Sequence, residues 1–210
     1  KATPKTGYHF VKWSDGNTTA SRTVTCNGTA TYTATFAIDT YVITVTSANT
    51  NMGTVTGGGT YEYNKSVTIK ATPKTGYHFV KWNDGNTNAS RSVTVTGAAT
   101  YTATFAIDTY ALTVTSANTN MGTVIGGGTY DYNSSVTIKA TPKEHYHFVK
   151  WSDGNTNASR TVTVTKAATY TATFAIDTHV LTVTSANTTM GTVTGGGTYD
   201  YNKSVSIVAT

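Results

Sequence analysis

Alternation runs through most of this chain. In residues 41–46, Tyr41, Ile43 and Val45 fall on one face of an extended backbone and Thr44 and Thr46 on the other. The same parity recurs at Tyr110, Leu112 and Val114, and at His179, Leu181 and Val183. This face is expected to point to a core. Residues 66–72 alternate with Val67, Ile69 and Ala71 inward, and Pro73 ends the run because it lacks a ladder donor. Residues 100–107 set Tyr101, Ala103, Phe105 and Ile107 against Thr100, Thr102 and Thr104, which predicts one buried and one hydroxyl-lined face. Residues 90–95 predict a further strand. Short strands at 54–56 and 60–63 flank Gly57, Gly58 and Gly59, a run that suits a hairpin or bulge. Residues 77–82 carry bulky side chains on both parities, the mark of a central strand, and Asp84-Gly85 predicts a turn after it. No window spaces its apolar residues at three and four with helix caps, and the β-branched content opposes a helix. The fold class expected is all-β.

The pattern repeats. Trp13, Trp82 and Trp151 lie 69 residues apart, as do Met52, Met121 and Met190. The chain therefore reads as a tandem array: residues 40–108 and 109–177 are complete units, 1–39 is the C-terminal half of a unit and 178–210 the N-terminal half. Each successive pair of copies differs at 11 of 69 positions, with the aromatic positions almost unchanged. Gly76 is replaced by His145 in the next copy, from which that position is expected to need no positive φ. The junction at 105–112 has no Gly, Pro or Ser spacer, so neighbouring units should be joined by an extended segment with little freedom, giving a semi-rigid rod. A start in mid-unit, on Lys rather than Met, marks the chain as an expected piece of a longer array.

Composition narrows the function. Charged residues make up only 12% of the chain, so the net charge of +5 reflects few acids more than many bases. Lys and Arg are scattered singly, with no basic run and no nucleic-acid-binding motif, and nucleic acid is not an expected partner. No apolar run has transmembrane length, and membrane insertion is not expected. The single Cys26 stands where other copies have Val95 and Val164, so it reads as an interchangeable strand residue, and no disulfide framework exists. Few cysteines with much Thr, Asn and Gly fit a bacterial extracellular or cell-surface protein.

Candidate chemistry is thin. Trp82 with Tyr77 offers an aromatic pair for a glycan, against the plainer reading that a small β unit needs large side chains in its core. Asp84, Asn86 and Asn88 place oxygens at alternate residues, like the start of a calcium loop, but copy one has Thr19 at the third place and no bidentate Glu follows. The turn reading is preferred. His78 has no second ligand at metal spacing. No Ser, Cys or His constellation, no acid pair and no phosphate loop is present, so neither an enzyme nor a cofactor is expected.

The segments Gly53-Thr-Val55, Gly57 to Tyr61, Ser66-Val-Thr-Ile-Lys-Ala-Thr-Pro73, Gly76-Tyr-His-Phe-Val-Lys-Trp82 and Tyr101-Thr-Ala-Thr-Phe105, in this order, resemble the divergent internalin-B-type B-repeat. The resemblance covers essentially the whole chain. It implies small β-grasp-like or β-sandwich modules strung in tandem on bacterial surface proteins, with a stalk or multivalent adhesin role and no catalytic residues. Partners would be neighbouring repeats, copies of the chain itself, or a host or cell-surface glycan or protein. Two alternatives stand beside it: a filament subunit whose half-repeats complement one another head to tail, and a carbohydrate-binding module.

Overall fold

The structure is a computed structural model describing residues 1–210, and β-strands are its sole regular element. The chain divides into two compact units, Lys1–Ile107 and Asp108–Thr210. In the first unit β1 (Tyr8–Trp13) and β2 (Ala34–Ile38) belong to the N-terminal half module. A complete module follows: β3 (Thr40–Ser47), β4 (Gly53–Thr56), β5 (Gly59–Glu62), β6 (Ser66–Pro73), β7 (Tyr77–Trp82), β8 (Ser90–Thr94) and β9 (Ala99–Ile107). The second unit repeats that module as β10 (Thr109–Ser116), β11 (Gly122–Ile125), β12 (Gly128–Asp131), β13 (Ser135–Pro142), β14 (Tyr146–Trp151), β15 (Ser159–Thr163) and β16 (Ala168–Ile176). It ends on the C-terminal half module, β17 (Thr178–Leu181), β18 (Val193–Thr194), β19 (Gly197–Asp200) and β20 (Val208–Ala209).

Each complete module has two sheets. The larger has the order β5-β3-β9-β7, with β3 and β9 parallel at its centre and the outer pairs antiparallel. The smaller is antiparallel, in the order β4-β6-β8. Ile43 from β3, Val67, Ile69 and Ala71 from β6, and Ala103 and Phe105 from β9 meet between them, as their alternation requires. Val95, just past β8, and Trp82, at the end of β7, are fully buried in the same core. The second module packs Leu112, Ile138, Trp151, Val164 and Phe174 in the same way.

Three expectations change. The segment 77–82 is an edge strand and not a central one. A bulge between Phe79 and Lys81 shifts the register against β9, which brings Phe79 and Trp82 to one face although three positions separate them. Bulk on both parities therefore signals the bulge here. Their rings pack at 5.5 Å, with Phe105 at 5.9 Å from Phe79.

The triple glycine does not close a hairpin either. β4 pairs with β6, and β5 pairs with β3, so Gly57 and Gly58 carry the chain from one sheet to the other. Gly57 has φ +103, and a Cβ there would lie 2.3 Å from the Thr68 carbonyl oxygen. The Tyr61 hydroxyl donates to the Gly57 carbonyl at 3.2 Å and ties the crossing down.

The third change concerns Gly76 and His145. Gly7, Gly76 and His145 all take positive φ, +81, +81 and +68, so the turn demands the left-handed region in every copy. Histidine is among the residues that tolerate it.

Candidate functional site

The aromatic strand ends inside the module. Trp82 is fully buried, with its Nε1–H donating to the Asn88 carbonyl at 3.0 Å, and Trp151 repeats this with Asn157. A ring with both faces in the core offers nothing for a sugar to stack on, so Trp82 is withdrawn as a glycan contact. Tyr77, at the start of β7, is half-buried and lies at the other end of the strand. The structure does not bring the two together as a platform.

The loop after β7 spends its oxygens internally. Asp84 Oδ1 accepts the Asn86 N–H at 3.2 Å and Asn86 Oδ1 accepts the Asn88 N–H at 2.9 Å, two successive Asx turns. Asp84 Oδ2 pairs with the Arg91 guanidinium, whose Cζ lies 5.2 Å from the Tyr101 ring centroid. Asp84, Asn86 and Asn88 thus build a turn anchored to β8 and β9. The Arg91–Tyr101 stack is invisible in the sequence because the two residues sit on neighbouring parts of the fold ten positions apart.

The hydrogen bond from Arg91 holds the Asp84 carboxyl below its ordinary value of 3.8, and Arg160 does the same for Asp153. An unfolded Asp titrates near about 3.9, so on acidification the unfolded chain takes up this proton first. The pair's contribution is complete above the unfolded value and is lost as pH falls through the lower folded value. It is small, because the carboxylate is partly solvated. Urea unfolding at about pH 6 and about pH 3 should show Asp84→Asn losing less stability on acidification than the parent chain.

Lys70 is exposed on β6. Cys26 is an exposed free thiol in a half module, although its counterparts Val95 and Val164 are core residues. Outward-facing threonines meet across the parallel pairs: Thr46 and Thr102 hydroxyls at 3.0 Å, Thr115 and Thr171 at 3.1 Å.

The most constructed feature is one that sequence reasoning missed, the joint between modules. Between β2 and β3 stands a single residue, Asp39. Its N–H donates to the Gly7 carbonyl of the preceding module and its carbonyl accepts the Tyr63 N–H of the following one, both at 2.8 Å. Its carboxylate meets His9 Nδ1 at 2.7 Å. The Tyr63 ring lies directly on Gly7, where a Cβ would come within 1.9 Å of it. In the second unit Asp177 makes the same bonds to His145 and Tyr201, and its carboxylate meets His147 at 2.8 Å. There the His145 imidazole takes the glycine's place and stacks on Tyr201 at 3.4 Å with an interplanar angle of 9°. The available signal was the second tyrosine of Tyr61-Glu-Tyr63, kept in every copy as Tyr63, Tyr132 and Tyr201.

These features define a tandem array of small two-sheet β modules with bonded joints. The model of the divergent InlB B-repeat domain matches residues 1–40, 43–109 and 112–178, well over half of the chain, and the chain belongs to that family. It is a family of bacterial surface-protein repeats with a structural tandem-repeat role, generally non-catalytic. No curated protein matches the chain.

Proposed function

We propose that the chain is a stalk segment of an extracellular bacterial surface protein, a semi-rigid rod that holds another part of that protein away from the cell. The observation that carries this reading is the joint at Asp39. Both backbone groups of the linking residue are bonded, one to each neighbouring module, and an aromatic ring covers the turn beside it. Such a link has few free torsions, whereas a spacer meant to flex would carry Gly and Ser with a solvated backbone. Stalk function also suits the rest of the module. Its large side chains fill a core, its polar side chains form turns, and its outer faces are hydroxyl-rich and sparsely charged.

Small-angle X-ray scattering at concentrations where the chain is monomeric tests the proposal. An elongated particle is expected, and the Tyr63→Ala variant should scatter as a more flexible one. A compact or freely jointed parent chain would overturn the stalk reading.

A further inference from the structure

We infer that each complete module resists tension along the chain, through a clamp formed by its first and last strands. The inference rests on the stalk reading for the source of the tension, since a segment standing between a cell and whatever its outer part holds is pulled along its length. The clamp itself lies within residues 40–107 and again within 109–176.

The chain enters the first of these modules at Thr40, the start of β3, and leaves it at Ile107, the end of β9. The two strands are direct neighbours and run parallel, from Ile43 opposite Ala99 to Ser47 opposite Ala103. Entry and exit therefore lie at opposite ends of the pair, about 36 Å apart for about eleven residues of strand. Tension draws β3 one way and β9 the other, along the strands and across the hydrogen bonds that join them. All the bonds of the ladder then carry the pull together. Had the first and last strands been antiparallel neighbours, entry and exit would lie at the same end and the bonds would open one after another.

The surroundings of the seam reinforce it. β3 is bonded along its whole length, by β5 from Thr40 to Ile43 and by β9 from Ile43 to Ser47. β9 is held in the same way, by β3 from Ala99 to Ala103 and by β7 from Ala103 to Ile107. The Ala48 N–H extends the ladder by donating to the Ala103 carbonyl at 2.9 Å, and the Thr46 and Thr102 hydroxyls join across its outer side. On the inner side Ile43 and Ala103 are buried, so a backbone group pulled free there gains no water in exchange. The second module repeats each part: Leu112 opposite Ala168 to Ser116 opposite Ala172, the Ala117 N–H on the Ala172 carbonyl at 2.9 Å, and the Thr115–Thr171 hydroxyl pair. The joint adds no slack, because Asp39 alone separates β2 from β3 and tension passes directly from strand to strand.

Force-clamp spectroscopy of the full 210-residue chain in a Cys26→Val background, with handles on introduced thiols, tests the clamp by changing only the direction of pull. Thr40→Cys with Thr109→Cys, both exposed positions, pulls the module at its natural entry and exit. Thr40→Cys with Ala98→Cys, the latter exposed just ahead of β9, pulls the same two strands from one end. The first pair should give an unfolding step of about 200 Å, and a discrete step with either pair shows that a folded module was pulled. At equal force the module should survive about tenfold longer or more between entry and exit than when pulled from one end, because only the first geometry breaks the ladder's bonds together. Equal lifetimes, or a longer one for the pull from one end, would overturn the clamp and leave the stalk reading to the scattering result, which is obtained without force. A compact particle in scattering would overturn the stalk reading whatever the lifetimes.

Discussion

Trp82→Ala unfolds the module of residues 40–107 and leaves the module of 109–176 standing. Removing a fully buried tryptophan costs about 3–5 kcal/mol, from lost transfer energy plus the cavity left behind. A single core of this size rarely supplies more than about 3–5 kcal/mol of net stability, so the loss equals most of what the module has. Collapse around the vacancy is restricted, because Phe79 and Phe105 are already locked against each other and the Asn88 carbonyl loses its donor. Modules of an array behave as separate units coupled to their neighbours. Thermal or urea unfolding should therefore show part of the amplitude lost at 25 °C, with a remaining transition reported by Trp151 fluorescence. An unchanged midpoint would show that the aromatic strand is not the core element described here.

Gly57→Ala is the second large effect, and its cause is backbone geometry. At φ +103 an L-residue is strained by about 1–3 kcal/mol. The new methyl also meets the Thr68 carbonyl oxygen at 2.3 Å and Ile69 Cα at 2.9 Å, backbone atoms of the central strand of the smaller sheet that cannot rotate away. Overpacking of that kind adds about 1–3 kcal/mol. Gly85→Ala separates the two causes: Gly85 has φ +85 but nothing within 4 Å of the would-be Cβ, so it should cost only the backbone part, about 1–2 kcal/mol. Equal midpoints for the two variants in urea unfolding would contradict the sheet-to-sheet crossing as the source of the larger loss.

Much of the fold was legible because alternation and repetition are strong signals. Val67, Ile69 and Ala71 point inward as their parity requires, and Ala103 and Phe105 do the same on β9. What failed depended on pairing partners, which local patterns do not contain. Gly57 to Gly59 look like a hairpin until β4 and β5 are seen to join different sheets. Phe79 and Trp82 have opposite parity, so only the bulge against β9 explains why both are core residues. His145 looked like proof that its position tolerates ordinary φ, but it takes +68 and stacks on Tyr201, a partner 56 residues away.

The candidate sites follow the same rule. The oxygens of Asp84 and Asn86 lie within their own loop, so the turn reading could be made from spacing alone. Trp82 as a glycan contact could not be judged without its burial. The joint was missed because Asp39, Gly7 and Tyr63 are far apart in sequence and meet only when two modules are in place.

The central claim is that the bonded joint at Asp39 holds the N-terminal half module and the complete module of the first unit at a fixed separation. Spin labels on Cys replacing Thr35 and Thr68, exposed on β2 and β6 on either side of that joint, in a Cys26→Val background, test it most directly by pulsed dipolar spectroscopy. The account predicts one narrow distance distribution, little changed by temperature. A broad distribution, of the kind two freely linked modules produce, would contradict it.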